Sequence, residues 1–350
     1  MKKLLAKIRR TKPSGAPLTR ITNETVAEHR ERILAGGRRF KYPLQYARHK
    51  LVINAIIISV VAVILIIVIG WWQLYSVQNT STFVYRVTKV LPLPVASVDG
   101  QPVPYGDYLM RYRSAVHHLE QKEQISLKSE DGRRQADYHK QKSMQDSVAD
   151  AYAIKLANEL NLIVSDAEVE ASLKLQRQSS TGEISQQTYD ASILDILGWS
   201  ADEYRYILKY ALLRQKVAYA VDDNALKVSD SIAEQLSTPD VNLQVLAEAA
   251  TASGGSAVSY GASGWVPKTN RDGGLAKAAS KLEKGQISPV IKSTTGEGYY
   301  FVRLLESNDT QVSYEYIQVP LTEFASRLVS LEKSGKITYY ISIPKTVAAQ

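Results

Sequence analysis

Residues 51–75, LVINAIIISVVAVILIIVIGWWQLY, carry no charged side chain, and none appears again until Arg86. A run of roughly 20 apolar residues crosses the ~30 Å hydrocarbon core of a bilayer as a helix. Trp71, Trp72 and Tyr75 stand at the far end of the run, where aromatic rings favour the headgroup region. Arg38, Arg39, Lys41, Arg48 and Lys50 precede it, and no cation follows for ten residues. This asymmetry predicts a single-pass anchor in the cell membrane, with residues 1–50 cytoplasmic and 76–350 extracytoplasmic. A cleaved leader is a poorer reading, because the run is too long, starts too far into the chain and is followed by no small-residue cleavage site.

The charge balance follows the same boundary. The chain of 350 residues carries a net +8, but residues 1–50 hold 14 Lys/Arg against 3 Asp/Glu, and the rest hold 29 against 32. The basicity therefore belongs to one tail, which argues against a nucleic-acid-binding globule. Within that tail, Thr25 and Glu28 have capping-box spacing, and VAEHRERILAGG reads as a short helix stopped at Gly36-Gly37. There is no Cys, which excludes disulfides, a thiol nucleophile and thiolate metal sites.

Beyond the span the chain changes character. Residues 76–94 read as a polar linker ending in Pro92 and Pro94. VASVDGQPVP reads as a hairpin turning at Asp99-Gly100. Amphipathic helices then dominate to about residue 225. Ser165 with Glu168 and Ser200 with Glu203 form capping boxes, and Gly198 marks a helix end. From 240 onward, short strands and turns alternate with helix. GEGYYFVRLLE, residues 296–306, is a turn followed by aromatic, β-branched and aliphatic residues, which is strand chemistry. The expected fold class is α+β: one N-terminal transmembrane helix, a mostly helical domain, then a small antiparallel or mixed sheet with helices.

Three stretches carry a family resemblance. VASVDGQPVPYGDYLMRY, LNLIVSDAEVEASL and LGWSADEYRYILKYALLRQKV resemble, in order, the first hairpin and helix, a recurrent inner helix start and the last helix of the SurA/PrsA/PpiD-type chaperone domain. Two later stretches resemble a parvulin (PpiC-type) peptidyl-prolyl isomerase domain. These are LQVLAEAATASGGSAVSYGASGWV and LAKAASKLEKGQISPVIKSTTGEGYYFVRLLE, with Gly285-Gln286-Ile287-Ser288-Pro289 the most specific match. The resemblance implies an extracytoplasmic folding factor that binds unfolded or nascent exported polypeptides. It divides the chain into a tail (1–50), a span (51–75), a linker (76–94), a chaperone domain (95–230), a parvulin-like domain (240–306) and a C-terminal strand-helix-strand (307–350).

The match departs from the family pattern in two ways. The family's first strand is missing before residue 243, while VSYEYIQVP, residues 312–320, has its pattern and follows the domain instead. It either completes the sheet in permuted order or opens a second unit. The polar site is also stripped. The family's two histidine positions hold Tyr300 and Tyr316, Gly254 stands at its Cys/Asp position, and all five histidines of the chain (His29, His49, His117, His118 and His139) lie elsewhere. A tyrosine titrating near pH 10 does not replace a histidine.

No catalytic residue is assigned on this reading. The expected peptide contacts are Trp265, Leu275, Tyr300 and Tyr316. His117-His118 with Glu120 lacks the i, i+4 spacing of a helical ligand pair, no Ser-His-Asp set can be built, and neither a metal nor a cofactor is expected. The leading expectation is a membrane-anchored chaperone with a weak or inactive isomerase module. The alternatives are an active isomerase using Tyr300 and Tyr316, and a non-catalytic envelope assembly protein. Oligomeric state is not readable from these residues.

Overall fold

The computed structural model describes residues 22–41, 43–179, 182–237, 241–254 and 257–344. Residues 1–21 of the basic tail and 345–350 lie outside the described residues. The chain divides into two compact units, Met1–Trp72 and Gln73–Gln350.

The first unit holds two helices, α1 (Asn23–Lys41) and α2 (Pro43–Trp71). Helix α1 continues through Gly36-Gly37 rather than stopping there. Its start is fixed one turn earlier than the capping-box spacing suggests, by Thr25 Oγ1 donating to Thr22 O at 2.8 Å and accepting from Thr22 N at 3.0 Å. The stretch His49–Ser76 is long and apolar enough to cross a membrane. Its Leu, Ile and Val side chains are exposed on all sides, unlike a surface helix, which keeps one polar face.

The second unit is α+β. A π-helical turn, Trp72–Ser76, leads to α3 (Thr82–Val90). This helix lies inside the stretch read as a linker. Ser81 caps it, and Val84, Tyr85 and Thr88 are buried on one side, an i, i+1, i+4 stripe short enough to be missed beside the prolines. The hairpin β1 (Pro94–Val98) and β2 (Gln101–Pro104) turns at Asp99 and Gly100, whose φ values of 46° and 84° are those a primed two-residue turn requires. Helices α4 (Tyr105–Gln121), α5 (Glu130–Glu159) and α6 (Asp166–Arg177) follow. The two-residue strands β3 (Gln178–Ser179) and β4 (Gly182–Glu183) then lead to α7 (Gln186–Leu197) and α8 (Ala201–Val221). Both capping boxes form, at Ser165/Glu168 and Ser200/Glu203. Tyr105, Tyr108, Leu109, Met144, Val148, Ala151 and Val217 anchor the core of this helical part.

Two further helices, α9 (Asp223–Gln235) and α10 (Leu243–Gly254), precede a four-stranded sheet. Its strands are β5 (Ser259–Pro267), β6 (Ile291–Lys292), β7 (Gly298–Ser307) and β8 (Gln311–Pro320), with α11 (Leu275–Ala279) between β5 and β6. The order is β5-β8-β7-β6, antiparallel throughout. Strand β8, which carries the pattern of the resembled family's first strand, thus sits inside the sheet although it comes last in sequence.

The chain then returns to the helical part. Helix α12 (Glu323–Lys333) packs on α8, with the Phe324 and Tyr152 rings 5.6 Å apart. Strand β9 (Ile337–Tyr339) pairs with β1, and Ile341 is buried in the helical core. Asp222 binds these parts together. It is 1% exposed, its Oδ1 accepts from Ala225 N at 2.9 Å, and its Oδ2 accepts from Thr322 N at 2.7 Å and Glu323 N at 3.0 Å. One carboxylate therefore caps the first turns of both α9 and α12.

Candidate functional site

Tyr300 and Tyr316 meet on one face of the sheet. In the β7–β8 register Tyr300 lies opposite Gln318, and Val302 opposite Tyr316. Tyr300 and Tyr316 are therefore diagonal neighbours on one side, as the period of two demands. Their ring centroids are 5.8 Å apart. Tyr314, two residues before Tyr316, adds a third ring 6.3 Å from Tyr316. Leu275 of α11 closes over Tyr300 and Tyr314, together with Val302, Leu304 and Val312. Gly261 of β5 lies opposite Tyr316. A Cβ there would come within 2.6 Å of the Tyr316 ring, so glycine is what lets the ring lie flat over the neighbouring strand.

Two carboxylates serve the hydroxyls. Tyr314 donates to Asp272 Oδ2 at 2.6 Å, and Asp272 also accepts from Ala276 N at 3.1 Å, capping α11. Tyr300 donates to Glu297 Oε2 at 3.1 Å. Burial, reinforced by Glu297, pushes Tyr300 above the usual tyrosine range. Burial and the bond to Asp272 do the same to Tyr314. Tyr300 and Tyr314 are 4% and 2% exposed, so these two rings pack as core residues do, while Tyr316 and Asp272 are half-buried and Glu297 is exposed. At neutral pH the two hydroxyls are neutral donors already committed to carboxylates.

Of the four residues expected to contact peptide, the structure gathers Leu275, Tyr300 and Tyr316 and leaves Trp265 apart. Its neighbour Val266 packs on the tyrosine face, so Trp265 points to the opposite side of the sheet, where it is 47% exposed. Sequence reasoning passed over Tyr314, Asp272 and Glu297. Strand alternation from Tyr316 could have placed Tyr314 on the same face. Nothing local in Asp272-Gly273-Gly274 reveals that its carboxylate reaches Tyr314 from 42 residues away.

Two cavities lie in and beside the helical part. One, of about 400 Å³, is bordered by Tyr85, Asp107, Met110, Glu203 and Tyr206. Tyr206 donates to Asp107 Oδ1 at 2.9 Å. Burial holds the Asp107 carboxyl above the usual range, against the opposing pull of that bond. The other, of about 490 Å³, opens between α8, α12 and the turn before β7, and is lined by Gln176, Leu212, Gln215, Thr295 and Phe324 among others. Gln215 fixes that turn by donating to Ser293 O at 2.8 Å, and Tyr219 donates to Gly298 O at 2.7 Å.

Comparison with known proteins places these parts. Residues 214–305 match the PPIC-type PPIase domain, a match that ends before β8. Among curated proteins, none matches the chain. Residues 44–218, half of the chain, match the SurA-like N-terminal domain. The chain belongs to the family defined by that domain, in the arrangement of a SurA/PrsA/PpiD-type chaperone in which a parvulin domain follows.

Proposed function

We propose that the protein is a membrane-anchored folding factor. In this reading residues 51–75 hold it in the cell membrane, and the part after the span binds unfolded exported chains outside the cytoplasm. The parvulin-like module binds or scaffolds without useful isomerase activity. The observation that carries this reading is the tyrosine-filled face at the family's histidine positions. Prolyl isomerisation needs no covalent step, but a catalyst must favour a twisted amide across a barrier of ~20 kcal/mol, by desolvation and by fixed dipoles aimed at it. Here the Tyr300 and Tyr314 hydroxyl dipoles are spent on Glu297 and Asp272, and the face is packed with aromatic rings. Exposed Ile163, Leu175, Leu194 and Ile196 in the helical part supply apolar area for unfolded chains.

The test uses the full chain in nanodiscs. The expected result is slower aggregation of an unfolded client with no acceleration of a proline-limited refolding reaction. Acceleration lost in Tyr300→Ala or Tyr316→Ala would establish the second reading, an active variant site, which the 5.8 Å approach of those rings favours. A single stable partner and no affinity for unfolded chains would point instead to an envelope assembly protein. Topology is testable directly because the chain has no Cys. A cysteine at Ser81 should react with an impermeant maleimide from outside the cell, and one at Thr22 should not.

A further inference from the structure

Strand β5 is an edge. In the order β5-β8-β7-β6 it pairs with β8 on one side, and no strand joins its other side among the described residues. Such edges are guarded by charge, proline, bulges or cover; β5 has a bulge between Ala262 and Trp265 and Pro267 at its end, which leave the run 259–262 beside α10 as its open part. The nine residues SYGASGWVP of β5 hold no charge and are exposed along most of their length. One face of α10, through Gln244, Ala247, Glu248 and Thr251, runs beside the strand. With Val258 and Tyr260 it borders an open cavity of about 440 Å³. Tyr260 and Trp265, both partly exposed, lie on this same side of the sheet. Tyr260 pairs with Ile317 and Trp265 with Ser313, and both partners belong to the side opposite Tyr316. Tyr260 is held in place by donating to Glu315 Oε2 at 2.7 Å.

We infer that an extended polypeptide segment binds by adding a strand to the free edge of β5, in the groove between β5 and α10. This rests on the client-binding reading above and gives it a site distinct from the tyrosine face. The occupant follows from the chemistry of the groove. A row of backbone donors and acceptors is matched by another backbone, and an unfolded chain supplies one whatever its sequence. Alternate side chains of the added strand would fall into the cavity beside α10 and against Tyr260 and Trp265. The unbroken run 259–262 extends about 13 Å and 265–267 resumes beyond the bulge, enough to hold a short segment without reading its sequence. A second copy of this chain fits less well. Antiparallel self-pairing of β5 would bring two α10 helices onto the same side at the new seam.

The test uses the full chain in nanodiscs and a fluorescent nine-residue uncharged peptide, Val-Thr-Val-Tyr-Val-Thr-Val-Thr-Val, as probe. Three preparations of the peptide are compared: unmodified, N-methylated at even positions and N-methylated at odd positions. The expected result is that one methylated set binds at least tenfold more weakly and the other is little changed, because only alternate N–H groups face the partner strand. Hydrogen exchange should show new protection in residues 259–267 on binding. Ala262→Lys, a charge on an exposed edge position, should weaken binding about tenfold while leaving the thermal midpoint unchanged. Equal binding of both methylated sets, or protection confined to the tyrosine face or the α8–α12 cavity, would overturn the inference and leave the client-binding reading intact. Concentration-dependent protection of 259–267 without peptide would assign the edge to a second copy and also overturn it. No peptide binding together with no suppression of client aggregation would remove both.

Discussion

The two sides of the C-terminal sheet are built from the same two strands and have diverged in chemistry. One side, Tyr299 and Phe301 of β7 with Ile317 and Val319 of β8, is closed by α9 and α10 in an ordinary apolar cluster. The other, Tyr300 and Val302 with Tyr314 and Tyr316, is closed by the short α11 and carries hydroxyls that had to be satisfied. Here Asp272 and the exposed Glu297 accept from Tyr314 and Tyr300, so those two rings pack as a core with polar partners. The two sides thus differ in what fills them: aliphatic and aromatic packing on one, and on the other tyrosine rings whose hydroxyls at 300 and 314 bond Glu297 and Asp272.

The largest effect expected from breaking this comparison lies on the apolar side. At its rim Arg303 bonds Glu315 and donates to Val241 O at 2.9 Å. Both side chains are largely buried, at 23% and 10% exposed. Arg303→Met leaves a buried carboxylate whose remaining partner is Tyr260, and should cost about 3 kcal/mol, read from chemical denaturation. Next is Asp222, which caps α9 on the same apolar side and joins the helical part to it through the first turn of α12. Asp222→Ala removes two helix caps at once and should cost about 2 kcal/mol, whereas Asp222→Asn should recover most of it because the amide oxygen still accepts.

Smaller changes sharpen the contrast within the tyrosine side. Tyr314→Phe loses a charge-assisted bond of 2.6 Å in a buried place and should cost roughly 1.5 kcal/mol. Tyr300→Phe loses a longer bond to an exposed glutamate and should cost less than Tyr314→Phe, well under 1 kcal/mol by the same reckoning. Equal costs would mean that the two hydroxyls are equivalent and that Asp272 adds nothing as an α11 cap.

Local signals carried much of this architecture. Ser165/Glu168 and Ser200/Glu203 form the capping boxes their spacing announces, Asp99-Gly100 turns the hairpin, and Tyr299 to Leu305 is a strand. These are decided within a few residues. The non-local pairings were less legible. Alternation in VSYEYIQVP says strand, but its place between β5 and β7 depends on partners up to about 60 residues away. The pairing of β9 with β1 joins positions some 240 residues apart, and ITYYISIP has no local feature that selects that edge. Trp265 illustrates the limit at the site itself. The sequence reading groups it with Leu275, Tyr300 and Tyr316 as an expected peptide contact, and the register shift between Ala262 and Trp265 together with strand alternation puts it on the other side of the sheet from them.

The last contrast is one of pH. Tyr314 ionises in an unfolded chain near pH 10 and is held above that value in the fold, first by burial and then by Asp272. The folded state therefore keeps its proton where the unfolded state has lost it. The contribution is fully present below pH 10 and declines as pH rises from there toward the folded value. At pH 10.5 the loss from this one group is about 0.8 kcal/mol, and Tyr314→Phe should remove that share of the alkaline slope while leaving the profile below pH 9 parallel to the parent. Tyrosinate absorbance supplies an independent reading: Tyr314 and Tyr300 should ionise late, together with unfolding, among a group that burial also raises, Tyr85, Tyr105, Tyr108, Tyr189 and Tyr206 included, so Tyr314→Phe should lower the late amplitude by one tyrosine. If Tyr314→Phe leaves both the slope and the late absorbance unchanged, the ring is open to solvent. The tyrosine side would then be a site with room in it, and the ground for reading it as a core would be gone.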